Sequence, residues 1–133
     1  MAEVLSVEMS SFFQESAHAP SRFIFPSKGA IEMILPNLPP ESIHASLLTP
    51  VDLEPKAEPY IIEIPPNQTL PSHFFIHKGE EIGYLLSGKL QLKLEKAVHT
   101  VQTHDVIYLT HQIPAQWENP GPDTAKLFWI KVK

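Results

Sequence analysis

The residues of this chain that could do chemistry cluster in one stretch, residues 73–88, which reads HFFIHKGEEIGYLLSG. His73 and His77 precede the pair Glu80 and Glu81, and glycines stand at 79, 83 and 88. Imidazole and carboxylate donors at this spacing suit a divalent transition metal, with His77 and Glu81 as the first candidates. The same two side chains suit general acid/base chemistry. Other chemistries lack their residues. There is no cysteine, so disulfides, thiolate metal sites and cysteine nucleophiles are excluded. The serines have no nucleophile motif around them. The five glycines (29, 79, 83, 88 and 121) are too scattered to cradle a phosphate. Read as structure instead, the stretch is a strand, a short polar turn, a second strand and a tight turn.

These residues need elements to position them, and the composition says which. The chain has 133 residues and is 43% hydrophobic, enough for one domain with a core. Fourteen prolines are spread along it, which opposes long helices and favours short strands joined by turns. The formal net charge is −5, so the chain carries no basic footprint for nucleic acid. It has neither an 18-residue apolar run nor a basic-then-apolar N-terminus, so the expectation is a cytoplasmic protein without a membrane span.

Residues 2–14 stand apart. Leu5, Met9, Phe12 and Phe13 fall at i, i+4, i+7 and i+8, one face of a short helix. Such a helix is not stable alone in water and must dock on something. Residues 15–21 read as a linker, which divides the chain into an N-terminal helix and linker, 1–21, and a main domain, 22–133. From 22 onward the pattern predicts strands at 22–25, 30–35, 42–48, 60–64, 73–77, 81–86, 89–94, 97–102, 105–109, 115–118 and 125–132. Residues 89–94 alternate cleanly, with Leu90, Leu92 and Leu94 on one face. In the last strand Leu127 and Trp129 share one face while Phe128, Ile130 and Val132 share the other. That strand is therefore expected to be buried on both sides or to sit at a subunit interface. Short strands with regular turn signals between them predict an all-β sandwich or barrel.

The order of motifs then carries a resemblance. Histidine upstream of Glu81, with Gly88 closing the strand, resembles the first cupin motif. Asp105-Val106-Ile107-Tyr108, followed by Pro114, Trp117 and Asn119-Pro120-Gly121, resembles the second. Residues 79–88 and 117–125, with Phe128-Trp129-Ile130 near the end, are similar to the cupin sensor domain of Xre-type helix-turn-helix transcriptional regulators. Residues 2–13 are similar to the closing helix of the DNA-binding domain in that family; the other reading is a helix that caps the sandwich. The resemblance implies a jelly-roll β-barrel or sandwich with a short N-terminal helix. It also implies a homodimer paired through sheet edges and outer sheet faces. The recognition helix is not in these residues, so the chain itself is not expected to bind DNA.

In a metal cupin the ligands are two histidines two residues apart, a glutamate, and a third histidine from the second motif. Carried onto this sequence, those positions hold Phe75, His77, Glu81 and Ala115. Phe75 and Ala115 cannot bind a metal, so only His77 and Glu81 remain, and the expectation is no resident metal. Any site would have to be shifted onto His73, His77 and Glu81 and would take a divalent transition metal. The pocket expected instead is lined by Phe75, His77, Glu81, Gly83, Ala115 and Trp117 and suits a small, partly apolar ligand. The resulting expectation is a non-catalytic, small-molecule-binding cupin sensor module. The alternative is a small metal-dependent cupin enzyme, a dioxygenase or isomerase with a degenerate ligand set.

Overall fold

A computed structural model describes residues 23–75 and 79–133. The helix expected within residues 2–14 and the candidate ligand His77 lie outside the described residues. Among the described residues ten strands form: β1 (Ile31–Met33), β2 (His44–Leu47), β3 (Ala57–Ile64), β4 (Thr69–Leu70), β5 (Glu81–Ser87), β6 (Leu90–Leu94), β7 (Ala97–Val101), β8 (Val106–Leu109), β9 (Gln116–Glu118) and β10 (Ala125–Val132). They build two antiparallel sheets. One has the order β1-β2-β3-β10-β5-β8 and the other β4-β9-β6-β7. The all-β expectation therefore holds. No helix among the described residues is long and apolar enough to cross a membrane.

Alternation sets which side chains enter the core. In β6, Leu90 and Leu92 are buried and the glutamine and lysine between and after them are not. In β3, Tyr60, Ile62 and Ile64 are buried; in β10, Ala125, Leu127 and Trp129 are. β10 lies between β3 and β5, pairing along its full length with β3. Its position in the middle of the six-stranded sheet agrees with a strand that is apolar on both faces. Short single-turn 3₁₀ segments bridge the proline-rich connections, as at Pro40–Ser42 and Val51–Leu53.

Among the described residues two expected strands do not form. Residues 23–25 are irregular, and so are 73–75. After β4, Pro71 cannot donate to a ladder, and the chain leaves the sheet. The reading that His73 and Phe75 share one strand face falls with that strand. His73 and Phe74 are both buried although adjacent, and Phe75 is only partly buried. The irregular backbone lets two consecutive side chains enter the core, which a pleated strand forbids.

Asn119 ties the end of the sandwich together. It is fully buried, and its side-chain amide donates to the carbonyls of Ile64, Pro65 and Asp123. Its Oδ1 accepts from the Gly121 amide at 3.0 Å. The Asn-Pro-Gly motif thus anchors the turn before β10 to the end of β3.

Candidate functional site

Four side chains form one continuous hydrogen-bonded chain through the interior. Trp117, on β9, donates its indole N–H to His73 Nδ1 at 3.1 Å. His73 Nε2 lies 2.8 Å from Glu81 Oε1, at the start of β5. Trp129, on β10, donates its indole N–H to the same oxygen at 2.8 Å. An indole N–H can only donate, so His73 Nδ1 must accept and the ring proton sits on Nε2, pointing at Glu81. The His73–Glu81 contact is therefore a hydrogen bond from a neutral imidazole. All four residues are at most 2% exposed. Burial of polar groups at this depth is tolerable because each is paired.

Aromatic rings fill the space around that chain. Phe74 stacks on Trp117 at 4.6 Å and meets Trp129 edge-on at 5.3 Å. The two tryptophans meet edge to face at 5.7 Å. Gly83 faces inward, as alternation predicts, but the room left by its missing side chain is taken. A Cβ at Gly83 would stand 2.4 Å from Cζ3 of Trp129, its cross-strand neighbour.

A cleft opens over His73. Pro71, Ser72, Ile113, Pro114 and Ala115 line it with Asn37, and its volume is about 620 Å³. Ala115 is exposed there, and Ile113 is half exposed. The walls are mainly apolar, with the Ser72 hydroxyl and the Asn37 amide as the polar groups.

A profile for the cupin domain matches residues 60–131, more than half of the chain. The chain belongs to the cupin domain family. Solved cupin-fold structures superpose on it. The polyketide cyclase RemF from Streptomyces resistomycificus is 15% identical with a TM-score of 0.67, over 84% of this chain and 80% of that one. AerE from Microcystis aeruginosa is 20% identical with a TM-score of 0.63 over 77% of this chain, which spans only 45% of AerE. The Cupin_2 domain of an XRE family transcriptional regulator from Enterobacter cloacae is 16% identical with a TM-score of 0.60, over 69% of this chain and 97% of that domain. No curated protein shows significant sequence similarity.

The cupin positions can now be placed. Glu81 and Trp117 are in the interior and share the hydrogen-bonded chain through His73, and Gly83 is beside them under Trp129. Ala115 is exposed and lines the cleft with His73. Phe75 is partly buried and meets Phe74 edge-on at 6.5 Å. It packs on Tyr60 at 4.7 Å, with Lys131 Nζ 4.8 Å above its ring. His104 and His111 are exposed, as is Glu80, which accepts a 2.6 Å hydrogen bond from Tyr108.

Among the described residues the candidate donors are already committed. Both ring nitrogens of His73 are engaged, Glu81 Oε1 already takes two N–H donors, and no three metal-ligating side chains gather among the described residues. Trp129 and Phe74 complete the interior, and sequence reasoning did not assign them to the site. The available signal for Trp129 was its inward face beside Leu127 together with a glycine on the neighbouring strand. No comparable signal existed for Phe74, because its burial depends on the irregular backbone.

Proposed function

We propose that this chain is a metal-free, non-catalytic cupin module that binds a small, partly apolar molecule, the kind of module that serves as the sensor of a transcriptional regulator. The observation that carries the reading is the Trp117–His73–Glu81–Trp129 chain. It commits to protein partners one oxygen of Glu81, the cupin ligand position it contains, and both ring nitrogens of the neighbouring His73. The cleft over His73 supports the binding half of the reading, since it has apolar walls, two polar groups and the volume of a small-molecule site. A ligand seated there would lie one side chain away from Trp117. The regulator half draws on the motif resemblance and on the regulator domain among the similar structures.

Two measurements test it. Elemental analysis of protein purified without chelator is expected to find well under one Fe, Mn, Ni, Cu or Zn per chain; one equivalent overturns the metal-free half. Intrinsic fluorescence, titrated with a panel of phenols, monocarboxylates and amines, is expected to respond saturably to at least one compound. Ala115→Trp, which fills the cleft, should abolish that response. A response unchanged in this variant moves the ligand elsewhere, and no response to any compound removes the binding half.

A second reading, a small dioxygenase or isomerase, draws on the buried His73–Glu81 pair at 2.8 Å with His77 four residues before Glu81. It requires a turnover that a chelator removes, a metal restores and Glu81→Gln abolishes.

A further inference from the structure

The two sheets each end in a strand with a free edge, and these two edges border one groove. β8 is the last strand of the six-stranded sheet and β7 the last of the four-stranded one, and among the described residues neither pairs further. The groove between them has a volume of about 320 Å³. Leu92 and Leu94 of β6 line it with Ile107 and Leu109 of β8, and all of these but Leu94 are buried. The backbone of β8 meets the groove in a defined way. The Leu85 amide donates to the Asp105 carbonyl. Backbone groups alternate between the two edges of an antiparallel strand, so Ile107 and Leu109 also turn theirs toward β5. Val106 and Tyr108 turn their N–H and C=O toward the free edge. Natural edge strands are blunted by lysine, proline or a bulge. Val106–Leu109 has none of these and keeps a regular register with β5. Ala97–Val101 has neither lysine nor proline.

We infer that this groove receives an extended peptide segment of a partner protein, apolar in the middle and basic at its ends, which adds to β8 as a further strand. The backbone of the segment pairs with the open groups of Val106 and Tyr108, and its alternate side chains pack over Leu92 and Ile107. In this mode main-chain bonds supply affinity and pockets for alternate side chains supply specificity. β8 has four residues, ~13 Å at ~3.3 Å per residue, so the added strand is short. Charge selects the segment. Asp105 is exposed at one end of β8, and its Oδ2 accepts the Gln102 amide at 2.8 Å. Toward the other end the Tyr108 hydroxyl donates to the exposed carboxylate of Glu80. Both flanks are thus anionic on a chain of net charge −5, which draws a cationic segment and suppresses an acidic one. The same charges disfavour two nearer occupants. Residues 1–22 carry Glu3, Glu8 and Glu15 against a single cationic side chain, Arg22. A second copy paired antiparallel through β8 sets acidic end against acidic end.

Fluorescence polarisation with the full chain tests this, using two labelled peptides. One alternates valine and threonine between terminal lysines, and the other has glutamates in place of the lysines. The lysine peptide is expected to bind saturably and the glutamate peptide at least tenfold more weakly. Val106→Pro removes an edge N–H while sparing the bonds to β5, and it should weaken binding about tenfold by orphaning a carbonyl of the peptide. Val106→Thr keeps that N–H and should bind as the parent does. Asp105→Asn keeps an acceptor for the Gln102 amide but removes the charge, and should weaken binding about threefold at low salt. Circular dichroism checks that each variant folds, and the peptide should slow hydrogen exchange at the Val106 and Tyr108 amides. No saturable binding of the lysine peptide overturns the inference. So does a loss shared equally by Val106→Thr, or no loss in Val106→Pro. Binding abolished by Ala115→Trp assigns the peptide to the cleft over His73 and overturns it too. A parent dimer, seen by light scattering, that Val106→Pro makes monomeric gives the edge to a second copy, which is the remaining contrary outcome.

Discussion

Trp117 holds the imidazole of His73 in one tautomer, and this makes it the residue whose loss is most informative. Trp117→Phe keeps most of the ring packing on Phe74 but leaves His73 Nδ1 buried without its donor. An orphaned buried acceptor costs about 1–3 kcal/mol, more than the net worth of an ordinary hydrogen bond. Urea unfolding should therefore show a lower midpoint at unchanged slope, and a loss under about 0.5 kcal/mol would mean that the interior chain is not formed in solution. Histidine, glutamate and the two tryptophans are all legible as residue types in the sequence. Their pairing is not, because His73 and Trp117 are 44 residues apart and Glu81 and Trp129 are 48 apart. Only the packing of β9 and β10 around the loop after β4 brings them together.

At the scale of elements, the pairing of β3 with β10 ends in a charged and aromatic clasp. Glu58 lies 3.3 Å from Lys131 and 2.8 Å from Lys133, and it accepts the Tyr60 hydroxyl at 3.0 Å. Burial pushes the Glu58 carboxyl up, but hydrogen bonds from Lys133, Tyr60 and Lys131 outweigh it and hold the group below its ordinary 4.5. Burial, and then the hydrogen bond to Glu58, raise the Tyr60 phenol well above its ordinary 10.0. The signs differ. A lowered carboxyl contributes stability that is present above pH 4.5 and is lost as pH falls through the folded value. A raised phenol contributes stability that is present below pH 10.0 and is lost as pH rises beyond it. Thermal midpoints against pH should thus decline on both limbs. Glu58→Gln should flatten the acid limb and Tyr60→Phe the alkaline one; slopes equal to the parent's would remove the clasp from the account.

Over the whole molecule, the charge of −5 makes a statement that no single site does. Affinity for nucleic acid rests on neutralising phosphates with clustered cations, and here lysines such as Lys131 and Lys133 are already paired with Glu58. A labelled DNA duplex titrated with this chain at about 150 mM salt should show no saturable binding in the micromolar range where even non-specific DNA binders associate. Saturation there would show that the chain carries a cationic surface which its charge balance conceals.

What the sequence determined by itself was the kind of fold and its punctuation. Proline-rich turns, period-two runs such as 89–94, and the motifs around Glu81–Gly88 and Asn119–Gly121 report local geometry, which neighbouring residues impose on one another. Gly88, at φ 90° with Ala125 packed where its Cβ would be, is one such local requirement. The interior was decided by the tertiary structure alone. Alternation predicted that Gly83 faces inward, but it could not predict that Trp129 occupies that room, because the cross-strand register is set between strands far apart in the chain. His73 was expected near a strand end and is instead the central member of the buried chain, since Pro71 releases the backbone from the sheet. Ala115 stands exposed on the cleft, whereas Glu81 is buried in the interior. Identity and spacing state which donors exist; only packing states which of them remain open to a ligand.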